Sequence, residues 1–303
     1  MKVSVVLPTH NRENLISRAL ESVLCQSYKN LEIIVVSDGS TDQTNSIVNQ
    51  YKKNDSRIKF ISYHPGRGGN YARNIGINAA NGKYIAFLDD DDEWFKEKIE
   101  LQLKEFDKNP NVGLVYTGAQ IKYLDSGITY NSFPKKIGDL SNEILIANFI
   151  GSTSSVMVQA DILNEVGLFD EKLKACQDYD LWIRICNRTE IGAVKLPLIK
   201  YYNNNATAQI SDDVKKYEEA IIYINEKYKK HYSNLDKKII KKQQQSNNLL
   251  LANKGLRNNN KKLARKYIWR HFKNKPNMTA IVLYILSYVN YKFILKLKAF
   301  KSN

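Results

Sequence analysis

The chain has 303 residues, 43% of them apolar and 11% aromatic, enough for one substantial core and a smaller appendage, and so for two unequal domains. Its three cysteines, Cys25, Cys176 and Cys186, are odd in number and form no C-x-x-C pair, which argues against a disulfide framework or a zinc knuckle and for a reduced, cytoplasmic setting. The net charge of +15 is unevenly spread: residues 1–209 hold 24 Lys+Arg against 25 Asp+Glu, and residues 210–303 hold 22 against 6. A neutral body with a basic tail points away from a nucleic-acid partner and toward a separate element that docks on an anionic surface.

Met1 runs directly into Lys2–Leu7, a short strand-like run ended by Pro8, with neither the long apolar core nor the cleavage site of a signal peptide. Up to about residue 120, β-branched runs alternate with helix-length segments, as a wound α/β sheet requires. Val3–Leu7, Leu31–Ser37, Ile58–Ser62, Lys83–Leu88 and Val112–Thr117 read as strands. Between them Glu13–Gln26 sets Leu15, Ile16, Ala19, Leu20, Val23 and Leu24 on one helical face, and Thr41–Lys53 offers a helix opened by Ser40-Thr41-Asp42. This is a parallel βαβαβ half, and its apolar strands suit a sheet covered on both faces. From Ile121 to Gln209 the regularity loosens, with strand-like pieces at Ile121–Tyr123 and Ser154–Val158 and a helix around Asp178–Cys186; such a region suits an acceptor site better than a scaffold. Beyond it the chain reads as helices at Asp213–His231, Asp236–Asn253, Lys261–Asn274 and Met278–Phe300; Leu249–Pro276 has the spacing of one tetratricopeptide-like hairpin.

The chemistry concentrates in a few places. Asp89-Asp90-Asp91-Asp92 stand at the C-terminal end of a predicted strand, where open α/β sheets bind ligands, and four adjacent carboxylates repel unless a cation or shifted pKa values relieve them. Hard Mg²⁺ or Mn²⁺, held between one or two carboxylates and substrate phosphates, is the usual relief. The plainer alternative is that Asp92-Glu93 caps a helix starting near Phe95 and the others are solvated. Val36–Asp42 puts Asp38 at a strand end before a helix N-terminus, where N–H groups can receive a ring edge or a phosphate.

Six blocks in order over about 180 residues resemble the family 2 glycosyltransferases of the GT-A fold. They are Pro8–Arg12, Ser22–Tyr28, Glu32–Asp42, Gly69–Asn74 with Gly76, Phe87–Asp92 with Trp94, and Gln177–Trp182. The resemblance implies a GT-A domain over residues 1–209, Rossmann-like, with a basic helical region over 210–303. It further implies an inverting transfer of a sugar from a nucleoside diphosphate sugar, a UDP-sugar above others, to a hydroxyl of a bacterial surface glycan such as a capsule. Pro8, Thr9 and Asn11 would line the nucleotide cleft, Asp38 would bind the base, and Arg73 would close the base and phosphate pocket. Asp89 and Asp90 would face ribose and donor sugar, Asp91 would coordinate Mn²⁺ or Mg²⁺, and Asp178 would be the general base. Trp94, Gln177 and Trp182 would contact the acceptor. Two departures stand out: Gln177-Asp178 replaces the common Glu-Asp, and Tyr201–Asn205 lacks the Arg or His that relatives carry near the diphosphate.

In the tail, Ile281–Leu286 and Phe293–Leu295 are interrupted by Asn290 and Lys292, short of the ~20 apolar residues that cross a bilayer. An amphipathic helix rich in Lys and Tyr can lie in the headgroup layer, implying a protein peripheral on the inner face of the cytoplasmic membrane with a lipid-linked acceptor. The same helix could instead pack on the body or on a second copy of the chain. A different functional class is also open, a non-catalytic nucleotide-sugar, membrane or nucleic-acid binding protein on the same fold. A dehydrogenase or nucleotidyltransferase is disfavoured because no G-x-G-x-x-G or P-loop opens the first helix.

Overall fold

The structure, a computed structural model, describes residues 1–203, 213–233, 235–274, 278–289 and 291–302. Strands β1 (Val3–Thr9), β2 (Leu31–Asp38), β3 (Ile58–Tyr63) and β4 (Tyr84–Phe87) alternate with helices α1 (Ile16–Leu24), α2 (Thr44–Asn54) and α3 (Gly69–Asn78). There follow β5 (Glu93–Trp94), α4 (Lys98–Lys108), β6 (Val112–Tyr123), β7 (Ile128–Ser132), α5 (Ser141–Ile144), β8 (Val156–Gln159), α6 (Ala160–Val166), α7 (Gln177–Cys186) and β9 (Glu190–Asn203). The remainder is helical: α8 (Val214–Lys227), α9 (Lys229–Ser233), α10 (Lys237–Arg257), α11 (Lys261–Asn274), α12 (Met278–Leu286) and α13 (Tyr291–Ser302).

The strands form one sheet in the order β3-β2-β1-β4-β8-β6-β9-β5, with β7 paired to β6. The first four are parallel, while β8 runs antiparallel to both β4 and β6. Alternation along the strands divides the core. Val5, Leu7, Ile33 and Val35 pack with Ile16, Leu20, Ile99 and Phe106 of α1 and α4 on one face. Val6, Ile34 and Val36 turn to the other face, against α3 and the α5–α7 layer. The parallel half therefore forms as its apolar runs require. Because β2 and β3 step outward on one side of β1 and β4 lands on the other, the loops after β1 and β4 diverge, and the acidic run sits at that switch point.

Some elements depart from the sequence reading. Val112–Thr117 and Ile121–Tyr123 are one strand, β6, because the register shifts around Gly118 bend the chain without ending it. A Cβ on Gly118 would lie 2.3 Å from the Ser132 carbonyl oxygen, so glycine there permits the close approach of β7. The helix expected near Phe95 begins only at Lys98, because Glu93–Trp94 pairs with β9 instead; Asp92 therefore caps nothing. The single helix expected over Met278–Phe300 is two: past Leu286 the Tyr288 and Val289 N–H groups turn back only three residues, to the Ile285 and Leu286 carbonyls, in a tightened turn that ends the first helix. The expected boundary between residues 209 and 210, and Asn204 and Asn205 of the loop singled out above, lie outside the described residues.

The tail packs on the body. Ala220, Ile224 and Tyr228 join the core around α7, where the buried Asp180 receives Arg184, the Lys227 ammonium and the Tyr228 hydroxyl. Helices α10 and α11 form a tight hairpin with Gly255 against Ala264, matching the helix-turn-helix spacing in the sequence. No helix among the described residues is long and apolar enough to cross a membrane.

Candidate active site

A cleft of about 920 Å³ opens at the switch point. One end of it is organised by Asp38, whose carboxylate accepts the backbone N–H groups of Arg67 (2.6 Å) and Gly68 (2.7 Å) and whose carbonyl bonds His10 Nδ1. The carboxylate thus fixes the 65–68 turn against the end of β2. Pro8 and Thr9 line the cleft as expected, and Asn11 does not. Asn11, at φ 51°, spends its side-chain oxygen on the Thr41 N–H and ties the loop after β1 to the turn after β2. Asp42, placed in the sequence at a helix start, accepts the Thr44 N–H at the head of α2.

The acidic run divides sharply. Asp89 is held on both oxygens, by Arg73 at 2.6 Å and by the Thr153 hydroxyl at 2.9 Å, while its N–H donates to Ser154. Burial lowers the Arg73 pKa, but the Asp89 charge and bond outweigh it and leave the guanidinium more basic than usual. Asp90 lies 3.4 Å from Arg12 Nε, yet burial, followed by the charge of Asp91, pushes it up to about 7. Asp91 is raised by burial and then by Asp89, against the pull of Arg12 and Arg18; Arg18 also grips its carbonyl at 2.7 Å. Asp92 is fully buried, and neither oxygen sits in ordinary hydrogen-bond geometry, although Ser154 and the Tyr202 backbone lie alongside. Burial and then the Asp91 and Asp89 charges drive it well above the usual carboxylate range.

This donor set fits a hard cation, since carboxylates forced toward protonation by one another are relieved by positive charge. A cation of this class takes one or two carboxylates and completes its shell from substrate phosphates and water; among the described residues no group of three His, Cys, Asp or Glu side chains forms a metal cage.

Across the cleft, Asp178 stands in the first turn of α7. Its oxygens accept the Tyr179 N–H (2.8 Å) and Asn148 Nδ2 (3.1 Å), and the helix N-terminus favours its charge. Burial nonetheless raises its pKa, offset in part by that N–H, Arg73 and Asn148. Gln177 lines the cleft beside it. Trp94 and Trp182, expected to touch an acceptor, do neither: at 4% and 0% exposure they are core, with their indole N–H groups on the Ser154 and Gly151 carbonyls. At their places in the chain, packing and a buried carbonyl claim the ring. Sequence reasoning missed Asn148 and Thr153, which lie where no periodicity marks them, and Ser154, which opens a strand-like run without any sign of a site. It also missed Arg18, which is indistinguishable from a solvated residue of an amphipathic helix.

Residues 4–167 match the model of the family described as glycosyl transferase family 2. The chain is 36% identical over 232 residues to an uncharacterized glycosyltransferase of Rickettsia felis, a match covering 74% of this chain and 36% of that protein, so it spans about a third of that relative's length. It is 34% identical to the UDP-Glc:alpha-D-GlcNAc-diphosphoundecaprenol beta-1,3-glucosyltransferase WfgD of Escherichia coli, over 65% of this chain and 74% of the other. In fold it is similar to the mannosyltransferase PcManGT of Pyrobaculum calidifontis, solved with GDP-Man and Mn²⁺, with a TM-score of 0.61 at 17% identity, covering 98% of this chain and 86% of that one.

Proposed function

The chain belongs to glycosyl transferase family 2, and from that premise we propose that it is an inverting glycosyltransferase that moves a sugar from a UDP-sugar to a hydroxyl of a growing, lipid-linked surface glycan. The observation that carries the reading is the single cleft that Asp38, Asp89, Asp90, Asp91 and Asp178 line together. The nucleotide lies over Pro8, Thr9 and Asp38; Asn11 acts indirectly, by holding the walls of that subsite. Asp89, fixed by Arg73 and Thr153, and Asp90 face ribose and donor sugar. Asp91 would hold Mn²⁺ or Mg²⁺, which would supply positive charge against the departing diphosphate. Asp178 takes the proton of the acceptor hydroxyl as its oxygen attacks the anomeric carbon, the bond to the diphosphate oxygen breaks, and configuration inverts without a covalent enzyme intermediate. Gln177 borders the acceptor.

Similarity to WfgD, whose name gives a UDP-sugar donor and a diphosphoundecaprenol acceptor, supports the lipid-linked class. So does the tail, which exposes Val282, Ile285, Phe293 and Phe300 together with Lys292 and Lys296, suited to the inner face of the cytoplasmic membrane. The test is thermal shift and slow donor hydrolysis with UDP-, GDP- and dTDP-sugars, with and without Mn²⁺. The expected result is stabilisation by UDP that deepens with Mn²⁺, with the Mn²⁺-dependent part lost in Asp91→Ala. Stabilisation by none of the nucleotides would overturn the reading.

A further inference from the structure

Of the arginines around the acidic run, Arg12 and Arg73 are among the described residues that line the cleft, and Arg18 is not. Arg18 stands behind the run, in the first turn of α1, with its side chain partly buried. Three contacts engage its guanidinium. A terminal nitrogen donates to the Asp91 carbonyl at 2.7 Å, Nε makes an ion pair with Glu93 Oε1 at 3.1 Å, and the guanidinium carbon lies 4.0 Å from the centre of the Tyr202 ring.

Those partners are themselves anchored. Glu93 of β5 pairs through its backbone with Lys200 of β9, and its carboxylate receives the Lys200 ammonium at 2.8 Å and the Tyr202 hydroxyl at 2.6 Å. Arg18 therefore ties the Asp91 main chain to a point that two strands already hold. Within the run, the Asp92 N–H closes on the Asp89 carbonyl at 3.1 Å, while the successive carboxylates repel one another. A turn so crowded with like charge keeps its shape better when a bond from outside restrains it, and the Arg18 bond falls on the carbonyl of the residue read above as the metal ligand. Arginine suits the place: its planar fork offers separate N–H groups to the carbonyl and the carboxylate while its face stacks on the ring, which a lysine ammonium cannot do at once.

We propose that Arg18 is a positioning residue for the divalent cation: braced by Glu93 and Tyr202, it fixes the main chain of Asp91 so that the Asp91 carboxylate meets the ion in one orientation. The proposal rests on the reading of Asp91 as the metal ligand and adds to it a residue that touches neither cation nor substrate. A ligand already oriented by the fold needs no further ordering when the ion arrives, so the effect falls on metal affinity.

The full-length protein, saturated with UDP, is titrated with Mn²⁺ well below the melting temperature of each variant. Protein-bound ion is read by the enhancement of water-proton relaxation, with UDP and Mn²⁺ without protein as the blank. In Arg18→Met the apparent Kd for Mn²⁺ should rise roughly 10- to 100-fold. Arg18→Lys keeps the charge and the aliphatic stem, and so the packing of α1, but not the fork; it should recover only part of the affinity. Should Arg18→Met fail to fold, Arg18→Lys decides alone. Wild-type affinity in Arg18→Lys would assign the effect to charge and overturn the proposal, as would an unchanged Kd in Arg18→Met; either result would leave Asp91 standing as the metal ligand. No enhancement with wild type would overturn the metal reading of Asp91 and the proposal with it.

Discussion

Asp178 and Asp91 differ in what surrounds them, and the difference makes their roles separable. Asp178 has its oxygens on an amide and an N–H, which hold the carboxylate in one orientation, as the proposed base role needs. Asp178→Asn should lose about 10²–10⁴-fold in transfer rate while keeping the thermal shift with nucleotide; full transfer by the variant would remove it from the base role. Because burial raises its pKa above 3.8, the active, deprotonated form is depleted as pH falls, so kcat/KM should decline on the acid side with an inflection above that value. Asn148 bonds the charged form, and Asn148→Ala should move the inflection further up in the pH–rate profile. Asp178 was legible in the sequence through the Gln177–Trp182 block, whereas Asn148 was not, since a lone Asn in an aperiodic stretch carries no signal.

At the scale of elements, α3 does more than cover the sheet. Asn70 donates to the Asp170 and Leu173 carbonyls, and Asn74 bonds Phe169 through both its N–H and its carbonyl, so α3 holds the segment that delivers Cys176 and Asp178 to the cleft. Asn74→Ala should cost about 2–3 kcal/mol in chemical unfolding, as buried backbone groups lose their partners, and should depress transfer more than nucleotide binding. Glu32 ties β1, β2, β3 and the approach to β4 together through Ser4, Lys2, Lys59 and the Asn81 N–H. Burial alone would raise its pKa, but those partners bring it down to about 2 from 4.5. The folded state therefore favours the charged form: this stabilisation is complete above pH 4.5 and is lost as pH falls toward 2. Glu32→Gln should destabilise by about 3 kcal/mol at pH 7, with the gap to wild type closing in acid-titrated melts; a gap constant with pH would refute the linkage. The α3 Asn residues belong to a block visible in the sequence, but their function as struts was not, because their partners lie about a hundred positions away.

Among the described residues α8 packs the basic helical region onto the core around α7, and that region both walls the cleft and displays an apolar, lysine-bearing face. If that face docks on lipid, co-sedimentation should be strong with anionic vesicles, weak with neutral ones and weakened by salt, at about 1 kcal/mol per basic residue near the surface. Phe293→Ser with Phe300→Ser should reduce pelleting without lowering the melting temperature, since both rings are exposed. Equal pelleting with both vesicle types would count against docking through charge.

The amino-acid order alone determined the parallel half, because strands buried on both faces must be continuously apolar and their helices must repeat every three to four residues. It also located the acidic run, Asp38 and Asp178, which stand in local blocks. It could not determine which of the four carboxylates is buried, that Trp94 and Trp182 face the core, or that Lys254 reaches the cleft. Those outcomes depend on which surfaces meet when β9 returns beside β6 and α10 folds back over the sheet. Contacts between residues far apart in the chain leave no periodic trace in either partner.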